Sequence, residues 1–137
     1  MGSIAMSRKD LLQLGAMLAM VLAIALHLRG SLVNHVSTGE AKELWDAGAL
    51  VIDVREADEA RPSHVPGALL IPLEALSATL PRLAAFRDSP VIVYCNGGAG
   101  RGPRATALLN QNGFSRAVNL QSGFEGWRKA GLPTKSG

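Results

Sequence analysis

An α/β fold with a mainly parallel sheet is predicted by three observations. Short apolar runs of strand length, at residues 50–54, 69–71, 91–94 and 117–120, alternate with segments whose apolar residues recur at helical spacing. The first run is continuously apolar up to Asp53, as expected of a central strand covered on both faces. The whole chain has 137 residues, room for one compact domain of ordinary size and little else.

Each element follows from local signals. Residues 30–35 read as a short polar connector. Ser37 and Glu40 have the spacing of a capping box and open a helix that passes Trp45 and stops at Asp46-Ala47-Gly48. Residues 50–54 form the next strand, with Asp53 and Arg55 at its C-terminal end. Residues 56–63 are charged and interrupted by proline, so they read as loop with one helical turn at most. His64-Val65-Pro66-Gly67-Ala68 is a turn signal ahead of the short strand 69–71. Residues 73–86 carry helical spacing broken at Pro81, which predicts two short helices. Residues 91–94 are a strand. Pro103 suits a first helical position, because the N–H it lacks would be unpaired there anyway. The helix it opens ends at Asn112-Gly113, a common terminating pair. Residues 117–120 are the last strand and residues 124–130 the last helix, closed by Gly131 with Pro133 beyond.

The candidate site sits where strand 91–94 ends. Cys95, the single cysteine of the chain, is followed by Asn96-Gly97-Gly98-Ala99-Gly100-Arg101 and then by a helix start. Glycines let a loop of this kind fold so that successive N–H groups form a nest for an anion, while the helix dipole adds its positive end. That is a setting in which a cysteine becomes a nucleophilic thiolate. A strand-end cysteine is otherwise a small hydrophobe; the glycine loop, the helix start, Arg101 and Arg104 argue for chemistry. Asp53 and Arg55 lie at a second strand end, on the sheet edge where α/β ligands bind. They either support the loop or substrate, or close the strand end as a salt bridge. Arg104 either steers anions or is a solvated charge. His64 reads as a turn residue bonded to backbone, and Trp127 as core.

Composition excludes several classes. Fourteen Lys and Arg against eleven Asp and Glu leave a formal charge of +3. No basic block or stacking aromatic pattern accompanies it, so nucleic-acid binding is unsupported and small anions are the more economical partners. One cysteine cannot form an internal disulfide, and no Cys/His spacing suggests a metal. Nothing indicates an oligomeric state.

Residues 11–28, from Leu11 to Leu28, are apolar except for Gln13 and His27, close to the minimum length for spanning a bilayer. Two readings stand for the N-terminal segment, residues 1–30, ahead of a domain at 31–137. It is a transmembrane anchor, or it is a signal peptide cleaved at Ala23-Ile24-Ala25. Arg8 and Lys9 ahead of the run favour a cytoplasmic N-terminus, which places the domain on the extracytoplasmic, periplasmic side either way.

Four pieces in order carry a family resemblance: Val51-Ile52-Asp53-Val54-Arg55-Glu56, His64-Val65-Pro66-Gly67-Ala68, Ile92-Val93-Tyr94-Cys95, and the stretch from Gly123 through Trp127 to Pro133. Together they resemble a rhodanese-homology domain. The resemblance implies a three-layer fold with a five-stranded parallel sheet and helices on both faces. It implies a sulfurtransferase in which Cys95 takes a sulfane sulfur from a small anionic donor such as thiosulfate and passes the persulfide sulfur to a thiol or cyanide. No cofactor is implied. Asn96, Gly97, Gly98, Ala99, Gly100 and Arg101 match the cradling loop. That loop is one residue longer than usual in such sulfurtransferases, and its C-x5-R pattern is similar to that of related dual-specificity phosphatases and arsenate reductases. On that alternative Cys95 attacks phosphorus or arsenic and Arg101 clamps the oxyanion. Tyr94 stands where those enzymes carry histidine, and no loop carboxylate is present to protonate a leaving group. A membrane-tethered binding module without turnover is the third class.

Overall fold

Alternation along β4 (Val91–Tyr94) separates the two faces of the sheet. Val91, Val93 and, just beyond the strand, Cys95 enter one apolar layer; Ile92 and Tyr94 enter the other. All five are buried, which is why the run is apolar throughout rather than alternating. The computed structural model describes residues 4–137, leaving the side chains of residues 28–31 undescribed. Residues 1–3 and the side chains of Leu28, Arg29, Gly30 and Ser31, all parts of the predicted N-terminal segment or its flank, therefore lie outside the described residues.

β2 (Leu50–Asp53) and β5 (Ala117–Leu120) flank β4, with Ile52 opposite Val93 and Val93 opposite Asn119. β1 (His35–Val36) and β3 (Leu69–Leu70) close the edges, giving the order β1-β5-β4-β2-β3 with all pairs parallel. The α/β class and the five-stranded parallel sheet hold. β1 corrects the reading of residues 30–35 as connector: His35 pairs with Asn119 and Val36 with Leu120. A two-residue edge strand is too short to show a period.

Helices cover both faces. α4 (Leu73–Thr79), a 3-10 segment (Leu80–Phe86) and α5 (Arg101–Gln111) lay Leu76, Leu80, Leu83, Ala105 and Leu109 on one face. α2 (Thr38–Asp46) and α6 (Gly123–Lys129) lay Ala41, Phe124 and Trp127 on the other. Each fully buried side chain of leucine or phenylalanine size contributes about 1.5–3 kcal/mol. The predicted capping box is formed, with Ser37 Oγ accepting from the Glu40 N–H at 3.1 Å. The two helical pieces of residues 73–86 meet at Leu80, one residue before the proline that removes a donor. The one helical turn in residues 56–63 is α3 (Ala57–Ala60).

One helix start differs from expectation. α5 begins at Arg101, so Pro103 is its third residue rather than its first. The N–H groups of the first turn are unpaired in any helix, so proline is tolerated there as well. The described residues fall into two compact units divided between Leu32 and Val33. The first carries α1 (Arg8–Ser31), of which Arg8–His27 is long and apolar enough to cross a membrane, with mean hydropathy 1.8.

Candidate active site

β4 delivers Cys95 to the C-terminal edge of the sheet, where the side chain is 2% exposed. The loop from Asn96 to Gly100 turns back over it into α5. Most of its carbonyls are tied down. Cys95 O accepts from the Phe124 N–H at 2.9 Å, Asn96 O from the Glu125 N–H at 3.1 Å, and Gly100 O from the Arg104 N–H at 3.2 Å. Gly98 O accepts from Asn119 Nδ2 at 3.0 Å. None of the backbone N–H groups from Asn96 to Gly102 donates to a protein acceptor among the described residues. A segment most of whose acceptors are used and whose donors are free is an anion receptor, and the positive end of α5 reinforces it.

Two glycines make this geometry possible. Gly98 has φ +81°, and a Cβ on it would run into the Gln121 carbonyl. A Cβ on Gly102 would collide with Asn119 Oδ1 and stand 3.2 Å from Cys95 Sγ. Gly102 and Asn119 therefore border the sulfur. Asn119 is fully buried on β5, and its Nδ2 also lies 3.0 Å from His35 Nδ1. Its Oδ1 has no partner among the described residues, a buried acceptor beside the same glycine as the sulfur.

The sulfur itself donates to the Ala99 carbonyl at 3.4 Å. The loop N–H groups make no hydrogen bond to Sγ among the described residues.

Arg101 opens α5 and forks onto Glu59 of α3, Nη1 to Oε1 at 2.6 Å and Nη2 to Oε2 at 3.0 Å. That bond pushes the Glu59 carboxyl down to about 2 and raises the Arg101 guanidinium; a charge on Cys95 raises Arg101 further, though less. Asn96 is turned the other way, with Nδ2 on Glu125 Oε1 at 3.2 Å. Gly97, Ala99 and Gly100 are exposed at the loop surface.

Asp53 and Arg55 have no bond to the loop. They form a buried ion pair, Arg55 Nη2 to Asp53 Oδ2 at 2.7 Å, and Tyr94 donates to the same oxygen at 2.7 Å. Arg55 also donates to the carbonyls of Ser63 at 2.8 Å and Glu59 at 3.4 Å and lies 4.3 Å over the Phe124 ring. The pair fastens the ends of β2 and β4 to the segment that carries Glu59. Arg104 is exposed and lines a groove with Leu73, Glu74 and Leu108 whose lining does not include Cys95. His64 bonds the Ala60 carbonyl through Nδ1 at 2.9 Å, and Trp127 is buried with Nε1 on the Pro133 carbonyl at 2.7 Å. No group of three or more His, Cys, Asp or Glu among the described residues is placed to hold a metal.

Sequence reasoning missed Glu59 and Asn119. The partner of Glu59 is 42 residues away, and nothing local announces it. Asn119 had a signal: a polar residue inside an otherwise apolar strand needs a buried partner.

Comparison with known proteins identifies the family and the fold. The sequence profile described as Rhodanese-like domain matches residues 37–130. A protein named sulfurtransferase from Allochromatium vinosum is 34% identical over 84 residues, covering 61% of this chain and 76% of its own. The human single-domain sulfurtransferase TSTD1 superposes with a TM-score of 0.63 at 27% identity, covering 71% of this chain and 96% of that one. Thiosulfate sulfurtransferase from Pseudomonas aeruginosa superposes with a TM-score of 0.67 at 29% identity, covering 77% of this chain and 20% of that one.

Proposed function

The chain belongs to the rhodanese-like domain family, and on that premise we propose that it is a sulfurtransferase that carries sulfur as a persulfide on Cys95. The observation that carries this reading is the loop in which all carbonyls but that of Gly97 are bonded away and the N–H groups from Asn96 to Gly102 have no protein acceptor among the described residues, beside the one cysteine. A persulfide anion is a ligand those donors suit, and Gly102 borders the sulfur.

Cys95 loses its proton to solvent, and the thiolate attacks the outer sulfur of a donor such as thiosulfate. The new S–S bond forms as the donor's S–S bond breaks, and sulfite leaves with the electron pair. The free N–H groups hold the terminal sulfur of the persulfide. A thiol or cyanide then attacks that sulfur and returns the electron pair to Cys95 as thiolate. The names of the relatives support the reaction class, and the small exposed loop residues Gly97, Ala99 and Gly100 suit a small acceptor.

The test is the intact mass of the full-length protein after thiosulfate and then after cyanide. One sulfur atom should be gained, then lost with release of thiocyanate, and Cys95→Ser should gain none. Transfer that survives in the Ser variant overturns the reading.

A second reading rests on the C-x5-R spacing: the same donors, with Arg101, fit a tetrahedral phosphate or arsenate. Hydrolysis of an aryl phosphate or reduction of arsenate, lost in Cys95→Ser, would favour it over sulfur transfer. α1 supports a membrane anchor or a signal peptide, and Arg8 and Lys9 ahead of the apolar run favour the domain on the extracytoplasmic side.

A further inference from the structure

The Arg101–Glu59 pair lies at the rim of the loop, with side chains 34% and 37% exposed, so solvent and solutes reach it. Its two halves are not equally fixed. Glu59 is held from its own side: Oε1 accepts from the Glu56 N–H at 3.2 Å in a capping box, and its carbonyl accepts from Arg55 at 3.4 Å. The fork of Arg101 has Glu59 as its sole partner among the described residues. Two carboxylate oxygens in a fork occupy the positions that two oxygens of a substrate oxyanion would take.

We propose that Glu59 is a specificity-determining latch: its carboxylate occupies the anion-binding fork of Arg101, and a sulfur donor with a sulfonate-like oxyanion head must displace it to reach Cys95. The inference rests on the sulfur-transfer reading for its substrate class. Thiosulfate and organic thiosulfonates carry such a head and compete with Glu59. Inorganic polysulfide has none and loads the cysteine without touching the latch. Glu59 acts through Arg101 and is a positioning residue.

Glu59→Gln is the informative variant, because the amide oxygen keeps the bond to the Glu56 N–H while the charge is lost. The first readout is protection of Cys95 in the full-length protein from iodoacetamide by sulfate, which requires no turnover. The half-protecting sulfate concentration should fall threefold or more in Glu59→Gln, and Arg101→Ala should abolish the protection. In the double variant Glu59→Gln should add nothing. The second readout is KM: lowered for thiosulfate at unchanged kcat, and unchanged for polysulfide.

Weaker or equal protection in Glu59→Gln overturns the latch, because it means that Glu59 merely braces Arg101. An equal gain in the Arg101→Ala background also overturns it, since the effect would then be general charge. Sharpened protection in a protein that forms no thiocyanate supports the latch and removes the sulfur-transfer reading instead.

Discussion

The phenol of Tyr94 donates to Asp53 at 2.7 Å and accepts from the buried Val65 N–H at 3.1 Å. Burial, then the charge of Asp53, holds its pKa far above the usual value, so it remains a donor throughout the working pH range. Tyr94→Phe leaves the Val65 N–H without an acceptor and should lower stability by about 1–3 kcal/mol, read from urea unfolding. A loss below about 0.5 kcal/mol would mean that water replaces the hydroxyl. Next to the sulfur the limit is steric rather than polar. Gly102→Ala places a methyl 3.2 Å from Sγ and against Asn119 Oδ1. Cys95 loading should fall tenfold or more in protein that keeps its circular dichroism spectrum, and full loading would show that the sulfur approaches from elsewhere. Glu59 sets a pH dependence. Folding lowers its carboxyl from an ordinary 4.5 to about 2, chiefly through Arg101. Its contribution is therefore whole above pH 4.5 and lost as the pH falls through about 2. At this exposure it is worth less than about 1 kcal/mol. The latch should stay shut at neutral pH, and sulfate protection in the wild type should be flat between pH 5 and pH 8 once corrected for thiol ionisation.

Among the elements, what the chain announces depends on how much of the pattern is local. β2 and β4 are covered on both faces, so their runs are apolar, in β2 as far as Asp53, and are legible. The capping box of α2 is legible because its two partners are three residues apart. β1 is not, since two edge residues become a strand only by pairing with β5, more than eighty positions later. The start of α5 moved to Arg101 because the glycines at 98 and 100, both with φ +81°, complete the loop before Pro103 is reached. Cys95 and its glycine loop were therefore visible, whereas Glu59 and Asn119 join the site only through tertiary contacts. The α2 cap makes a local claim that can be checked: Ser37→Ala should cost about 1 kcal/mol in urea unfolding, with Cys95 loading unchanged. A cost near zero would mean that the Thr38–Ser122 hydroxyl bond at 2.6 Å anchors this end of the helix by itself.

At the scale of the molecule, α1 has a different surface logic from the domain. Between Leu11 and Leu26 its large apolar side chains are exposed, Leu12 at 74% and Leu18 at 62%, whereas large apolar side chains of the sheet domain are mostly buried. A helix that is apolar all round belongs in lipid rather than water. Arg8–His27, twenty residues at about 1.5 Å each, is about 30 Å long and matches the hydrocarbon core. We propose that α1 stays attached and tethers the domain to the membrane, because the apolar run continues past Ala25, where a signal peptide would be cut. The two outcomes differ in mass and in fractionation. In cells that make the full-length chain, the anchor predicts an uncleaved N-terminus and protein that stays in the membrane pellet after alkaline carbonate. A mature protein that begins at Leu26 and is released on osmotic shock would overturn the anchor and leave a soluble sulfur carrier. Protease added to intact spheroplasts should digest the domain if Arg8 and Lys9 hold the N-terminus inside. Protection there would place Cys95 in the cytoplasm, facing a different pool of sulfur acceptors.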